Sequence, residues 1–399
     1  MATVELTPTT VAAGGETVAR DDDGRVVFVH GALPGERVMV DIVEERATFA
    51  RGATVAVVEA SPWRRQPPCP NVARGCGGCG WQHVAPEAQR DHRRAVVIDA
   101  LRRIGGVEAP SVGAGVALPA ERYRTTVRCA VVDGRAGYRR RRSHDVLVVD
   151  DCLVSHPLVA ELVADGRFGE ATEVTLRAGA RTGERVAVIH PSAAGVQVPD
   201  GTLVVGTDEL RKGRRAWYHE EVAGRRWRIS ASSFFQARPD GAEALVAEVT
   251  TAVERLSPGA ATLVDLCSGV GLFGGTVGKG RRVTAVERHR PAVADARHNL
   301  AGMDVRHVRA AFETWRPAPA DVVVADPARG GLGRAGVAAV TATGASLVVL
   351  VSCDAAALGR DAGLLRAGGY GFEGATLVDL FPYTAHVEVV SRFVREGRA

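Results

Sequence analysis

Thr262-Leu-Val-Asp265-Leu-Cys267-Ser-Gly269-Val-Gly271-Leu272-Phe-Gly274 is a short apolar run that stops at a glycine-rich turn. Thr262–Leu266 suits a buried strand, and a second apolar run, Val283–Val286, closes on Glu287. A strand, a glycine turn, a helical stretch and another strand make a βαβ unit. The pattern continues downstream, where Val322–Ala325, Leu347–Val351 and Thr376–Leu380 read as strands between helical stretches. Just upstream, Ala242, Leu245, Val246, Val249 and Val253 recur at helical spacing and predict a helix over 239–256. This alternation implies an α/β region, a parallel doubly wound sheet over 236–399.

Gly269, Gly271 and Gly274 satisfy G-x-G-x-x-G between a strand and a helix. Glu287 stands about twenty residues on, where a ribose-binding acid belongs. The loop alone suits either a dinucleotide or S-adenosyl-L-methionine (SAM). Asp265 separates them: a carboxylate before the first glycine suits a cationic methyl donor, whereas a pyrophosphate wants helix N–H groups and no nearby acid. A plain structural turn is the bland alternative.

The same sheet edge collects further chemistry, because doubly wound sheets put ligands at the carboxyl ends of their strands. Cys353 follows Leu347–Val351, Asp326-Pro-Ala-Arg-Gly330 follows Val322–Ala325, and Pro382, Tyr383, Thr384, His386 and Glu388 follow Thr376–Leu380. A buried cysteine is usually an inert hydrophobe; a thiol among carboxylates on a ligand-binding rim is a candidate nucleophile. Glu388 is the candidate base.

Toward the amino terminus the period changes. Residues 1–60 hold short β-like runs, Val26–Val29, Val38–Val40 and Thr54–Val58, between Gly- and Asp-rich turns, which suggests a small OB-like barrel. Residues 61–70 read as a proline-rich linker. A charged helix is expected at 86–104, with Val96, Val97, Ile98 and Leu101 inward and Gly105-Gly106 as its stop. Short strands fill 123–229. The expected domains are a barrel (1–60), a β-rich central domain (61–235) and the doubly wound domain (236–399), with helix 86–104 a possible companion of the last.

Cys69, Cys76, Cys79 and Cys152 form a set that packing does not explain, and four thiolates suit either structural zinc or an iron–sulfur cluster. His83 and His92 are lesser ligand candidates, and Cys129, in a strand pattern, reads as packing. The chain has 399 residues, a net charge of +4 and only two lysines, so the charge barely favours nucleic acid. No signal peptide and no apolar run of about 20 residues is visible. A cytoplasmic protein with reduced thiols is therefore expected. Clusters at Arg139–Arg142, Arg211–Trp217 and Arg225–Arg228 are candidate RNA contacts, since aromatics among arginines can stack bases while the cations hold phosphates.

Together these segments resemble the RNA uracil-5 methyltransferases, above all the bacterial ribosomal-RNA branch, over nearly the full length. Ser352-Cys353-Asp354 resembles the family's nucleophile motif, with Ala355 in place of its proline, and Asp379-Leu-Phe-Pro-Tyr-Thr-Ala-His-Val-Glu388 resembles the motif whose glutamate is the base. Ser233-Phe-Phe-Gln236 resembles a motif whose glutamine contacts the SAM region, and Asp326-Pro-Ala-Arg329 one whose aspartate lies beside SAM and the target base. Tyr123-Arg124 matches a further motif. Cys267 and Leu272 also fall at SAM-contact positions, where the family often has other residues. Cys76-Gly-Gly-Cys79-Gly-Trp-Gln82-His83, with Cys69 and Cys152, resembles the family's 4Fe-4S site, and residues 1–60 resemble an RNA-binding TRAM domain. The resemblance implies methylation of a uridine C5 in RNA, 23S rRNA by preference, through a Cys353 adduct resolved by Glu388. Phe234 or Phe235 would stack on a flipped base. A tRNA substrate is the alternative, and a non-catalytic RNA-binding assembly factor a third reading. No membrane and no obligate protein partner are implied.

Overall fold

The structure is a computed structural model and describes residues 3–397. Strands β1 (Thr3–Leu6), β2 (Thr10–Val11), β3 (Thr17–Arg20), β4 (Val26–His30), β5 (Arg37–Glu45) and β6 (Phe49–Glu59) form one sheet in the order β1-β5-β6-β4-β3-β2. Alternate residues of these strands point inward, so Leu6, Val27, Val29, Val38, Val40 and Ile42 make a separate core. Register shifts between β5 and β6 bend this sheet.

Helix α1 (Pro86–Arg103) starts on a proline, whose missing N–H costs nothing there. Strand β7 (Val112–Val116) follows. The central sheet joins β8 (Thr126–Val132), β9 (Arg135–Arg139), β10 (Val146–Val148), β11 (Glu173–Ala178), β12 (Arg185–His190) and β13 (Thr202–Gly206) in the order β10-β9-β8-β11-β12-β13. Helix α2 (Pro157–Asp165) packs on it, a short α3 (Thr207–Arg211) follows, and β14 (Trp217–Val222) and β15 (Arg225–Ser230) form a hairpin.

Helix α4 (Pro239–Leu256) opens the region whose strands are β16 (Thr262–Leu266), β17 (Arg282–Glu287), β18 (Val305–Arg309), β19 (Val322–Ala325), β20 (Leu347–Ser352), β21 (Tyr370–Val378) and β22 (Val389–Arg395). Helices α5 (Leu272–Gly275), α6 (Arg290–Asn299), α7 (Gly333–Ala342) and α8 (Ala355–Ala367) alternate with them. The sheet order is β18-β17-β16-β19-β20-β22-β21-β7. Both faces are covered, as a parallel sheet requires. Along β19, Val322 and Val324 face a core shared with α4, while Val323 and Ala325 face one shared with α1, α7 and α8.

Two features of this sheet are set by contacts between segments distant in sequence. Strand β22 is antiparallel to both β20 and β21 and lies between them, so not every strand is parallel. The chain passes from β21 to β22 without a helix, and a parallel neighbour would need a crossover. The other feature concerns the segment that follows the cysteine-rich stretch: Val96, Val97, Ala100 and Leu101 of α1 pack on Leu358, Ala362 and Leu365 of α8, and β7 pairs with β21.

Candidate active site

Strands β16, β19 and β20 pair in parallel and end together at one rim. The turn after β16 places Gly269 (φ 54°) and Gly271 (φ 95°) in the left-handed region, where a side chain is strained. Cys267 adopts φ 66° there without being glycine. Leu272, the first residue of α5, is buried, as is Gln236. Glu287 is locked at the tip of β17, accepting from Gly269 N at 3.0 Å and His289 N at 2.7 Å.

Asp265 is fully buried, and its Oδ2 accepts from Gly274 N at 2.7 Å. Burial, with lesser help from Asp326 and Glu287, pushes its carboxyl up to about 7. Its Oδ1 has no hydrogen-bond partner, and neither has Ser268 Oγ in the same loop. Buried polar atoms left unpaired are costly and mark a place for a partner from outside.

The nucleophile and base candidates meet because of β22. Its register with β20 pairs Ser352 with Val389, so Cys353, next on one strand, lies across from Glu388, just before the other. Side chains opposite each other in an antiparallel pair start about 5 Å apart. Glu388 is buried, and burial together with the Asp326 charge holds its carboxyl well above the usual range. Burial likewise pushes Asp326 up to about 7. The Cys353 thiol is pushed up to about 11, first by burial and then by Glu388 and Asp326, against an opposing pull from Arg329. Asp354 caps α8 by accepting from Ala357 N at 2.7 Å, so the thiol sits beside a helix amino end, which favours thiolate.

Several supporting residues escaped the sequence reading. Buried Asp295 of α6 accepts from Arg228 Nε (3.0 Å), Ser230 N (2.8 Å), Ser230 Oγ (2.9 Å) and Ser233 Oγ (2.8 Å). Asn299, one turn on, bonds Arg228 N and O and Val270 O. The pair ties the loop carrying Gln236 to the glycine loop. Their signal was present: two polar residues share the inward stripe of α6 with Ala292, Val293 and Ala296. Asp361 of α8 accepts from Leu332 N (2.6 Å) and Gly333 N (2.9 Å) and anchors the segment after Asp326.

Cys69, Cys76, Cys79 and Cys152 line one cavity with Asn71, Gln82 and Arg124, and all are free thiols. Burial pushes Cys79 up to about 12, with further upward contributions from Cys152 and Cys76, so the thiols sense one another. Among the described residues, no three His, Cys, Asp or Glu side chains converge as the ligands of a metal ion. His83 and His92 do not line this cavity; His83 is half-buried near Ala32 and Arg64, and the His92 ring meets Trp81 edge-on. Cys129 is a packing residue in the central core.

Phe235 is buried, leaving Phe234, 69% exposed, as the aromatic free to stack. The Arg225–Arg228 cluster is largely spent internally. Arg225 donates to Gly275 O and Asn299 O, Trp227 is fully buried, and Arg228 binds Asp295. In the Arg139–Arg142 cluster, Arg141 and Arg142 pair with Glu16, which also holds Arg51 of β6, so this cluster adjoins the first sheet. No helix of the described residues is long and apolar enough to cross a membrane.

The fold matches that of the Pyrococcus abyssi tRNA (uracil-54, C5)-methyltransferase, with a TM-score of 0.76 and 22% identity over 98% of this chain and 100% of that one. The TRAM domain family matches residues 2–55. The TRAM match, the glycine-loop sheet and its rim define the class, a TRAM-bearing methyltransferase. An RNA methyltransferase of Streptomyces avermitilis is 37% identical over 97% of this chain and 96% of its own. A protein of Chromohalobacter salexigens named 23S rRNA (uracil(1939)-C(5))-methyltransferase is 33% identical over 97% and 88%. The chain belongs to the family of RNA uracil-5 methyltransferases.

Proposed function

We propose that this protein transfers a methyl group from SAM to C5 of a uridine in RNA, with 23S rRNA as substrate. The Chromohalobacter relative favours rRNA. Work on RNA in the reducing cytoplasm accords with the free thiols. The observation that carries the reading is the β20–β22 register, which sets a thiol against a buried carboxylate at the glycine-loop rim.

Uracil C5 is a poor nucleophile. The Cys353 thiolate adds its sulfur to C6, and the ring electrons pass to O4 as an enolate. C5 then attacks the sulfonium methyl, forming C5–CH3 and releasing S-adenosylhomocysteine. Glu388 takes the C5 proton, the C5=C6 bond re-forms and the sulfur leaves as thiolate. A thiol held near 11 needs positive charge beside it, which Arg329, the α8 amino end and the sulfonium supply.

SAM would lie along Gly269 and Gly271, with Glu287 on the ribose and Asp265 offering its unpaired Oδ1. Gln236, Cys267, Leu272 and Asp326 complete the lining. The uridine must leave its stack to reach the rim, and Phe234 would meet it. Residues 1–60 and the central region 61–235 would hold the flanking RNA. Cys69, Cys76, Cys79 and Cys152 would bind a 4Fe-4S cluster. The Cys76–His83 motif, with Cys69 and Cys152 on the same cavity, carries that reading, since four thiolates by themselves suit zinc as well. The cluster's role would be structural or RNA-positioning, because methyl transfer needs no electron.

RNA carrying 5-fluorouridine, incubated with SAM, should form a stable covalent adduct, since fluorine cannot leave as a proton. Cys353→Ala should abolish it, and an adduct that persists rejects the nucleophile. Radiolabel from SAM recovered in anything but 5-methyluridine rejects the reaction.

A further inference from the structure

We propose that Gln89 is a positioning residue for the base, bracketing the Asp379–Glu388 connection against Trp81 of the cysteine-rich segment. The inference rests on Glu388 acting as the base.

The connection between β21 and β22 has no regular structure of its own, yet it delivers Glu388 to the rim. Its midpoint is held from outside the sheet. Gln89, 1% exposed on α1, accepts from Tyr383 N through Oε1 at 2.7 Å. Its Nε2 donates to Val84 O at 2.8 Å and Trp81 O at 3.2 Å. Trp81 N in turn donates to Tyr383 O at 2.9 Å. Both polar groups of the Tyr383 backbone are thus taken by this bracket. Tyr383 needs it, because its φ of 65° lies in the left-handed region that a bulky residue enters only when its surroundings compel it.

One turn further along α1, Arg93 pairs with Asp379 at 3.0 Å, so the start of the connection is held by the same helix. A helix that merely packed here would present apolar side chains. Burying an amide is costly unless it is spent on hydrogen bonds, and every Gln89 side-chain bond goes to backbone. Trp81 also reaches the first sheet, donating Nε1 to Gly15 O at 2.9 Å. At Gly15 a Cβ would come within 2.4 Å of the Ala385 Cβ, so that turn abuts the connection as well. The first sheet, the cysteine-rich segment and the connection that carries Glu388 therefore share one set of contacts.

The two halves of the reaction make the test specific. Adduct formation on 5-fluorouridine RNA needs Cys353 and SAM but no base; turnover on uridine RNA needs both. Gln89→Met should lower kcat about 10- to 100-fold, as a misplacement near 1 Å does. KM for RNA should stay within about threefold, and the 5-fluorouridine adduct should form at nearly the wild-type rate. Uridine RNA should accumulate as a covalent adduct visible on denaturing gels. Should the methionine variant misfold, Gln89→Asn, which withdraws the amide by one methylene, is read in the same way. Wild-type kcat, or equal losses in turnover and adduct formation, overturns the proposal. Glu388→Gln runs alongside: if it too fails to accumulate adduct, the base assignment has failed; if it accumulates while Gln89→Met does not, only the bracket has.

Discussion

Replacing Asp295 by alanine should loosen the SAM site without touching it. Asp295 is fully buried and accepts four hydrogen bonds, from Arg228 Nε, Ser230 N, Ser230 Oγ and Ser233 Oγ. Removing one partner of a buried ion pair costs about 3–5 kcal/mol. The Arg228 side chain is 20% exposed and rehydrates in part, which favours the lower end. Of the groups left without a partner only the Ser233 hydroxyl is buried away from water, which adds back about 1 kcal/mol. A loss of about 4 kcal/mol lowers the melting temperature of a domain this size by about 8–16 °C. Scanning calorimetry measures that shift, and titration with S-adenosylhomocysteine should show weaker binding, because Ser233 no longer anchors the segment leading to Gln236. Asp295→Asn, which keeps one acceptor, should fall between. An alanine variant melting within about 2 °C of wild type, with unchanged affinity, would refute the reasoning.

Phe234→Ala removes the one exposed ring of its motif and should weaken RNA binding by about 1–3 kcal/mol, raising KM for RNA about 5- to 150-fold with kcat less affected; an unchanged KM contradicts the stacking role. Protein purified without oxygen should be brown and hold about four irons per chain, and a colourless, zinc-loaded sample decides for zinc. Glu388 and Cys353 both have raised pKa values, so the active carboxylate and thiolate are each scarcer at low pH. Single-turnover methylation should therefore keep rising with pH through neutrality toward the Cys353 value of about 11, and a plateau below about pH 7 would show that neither ionisation limits the rate.

The site candidates could be proposed from sequence because their signals are local. Asp265 precedes a glycine turn, Glu287 ends a strand, and Cys353 follows one. Asp295, Asn299, Gln89 and Arg93 were not singled out, because what distinguishes them is the backbone or charge they meet across the molecule. The Arg225–Arg228 cluster read as an RNA surface for the complementary reason: an arginine stretch looks the same whether its guanidiniums face phosphates or, as here, carbonyls and Asp295.

The sequence by itself determined the alternation of strand and helix, the glycine turn with its two acids, and a thiol at a strand's carboxyl end, because hydrophobic period and turn chemistry are written in neighbouring residues. Only the tertiary structure decided that β22 slips antiparallel between β20 and β21 and sets Glu388 across from Cys353. A buried strand reads the same whichever way it runs, and its neighbours are chosen by long-range burial and by connections too short for a crossover.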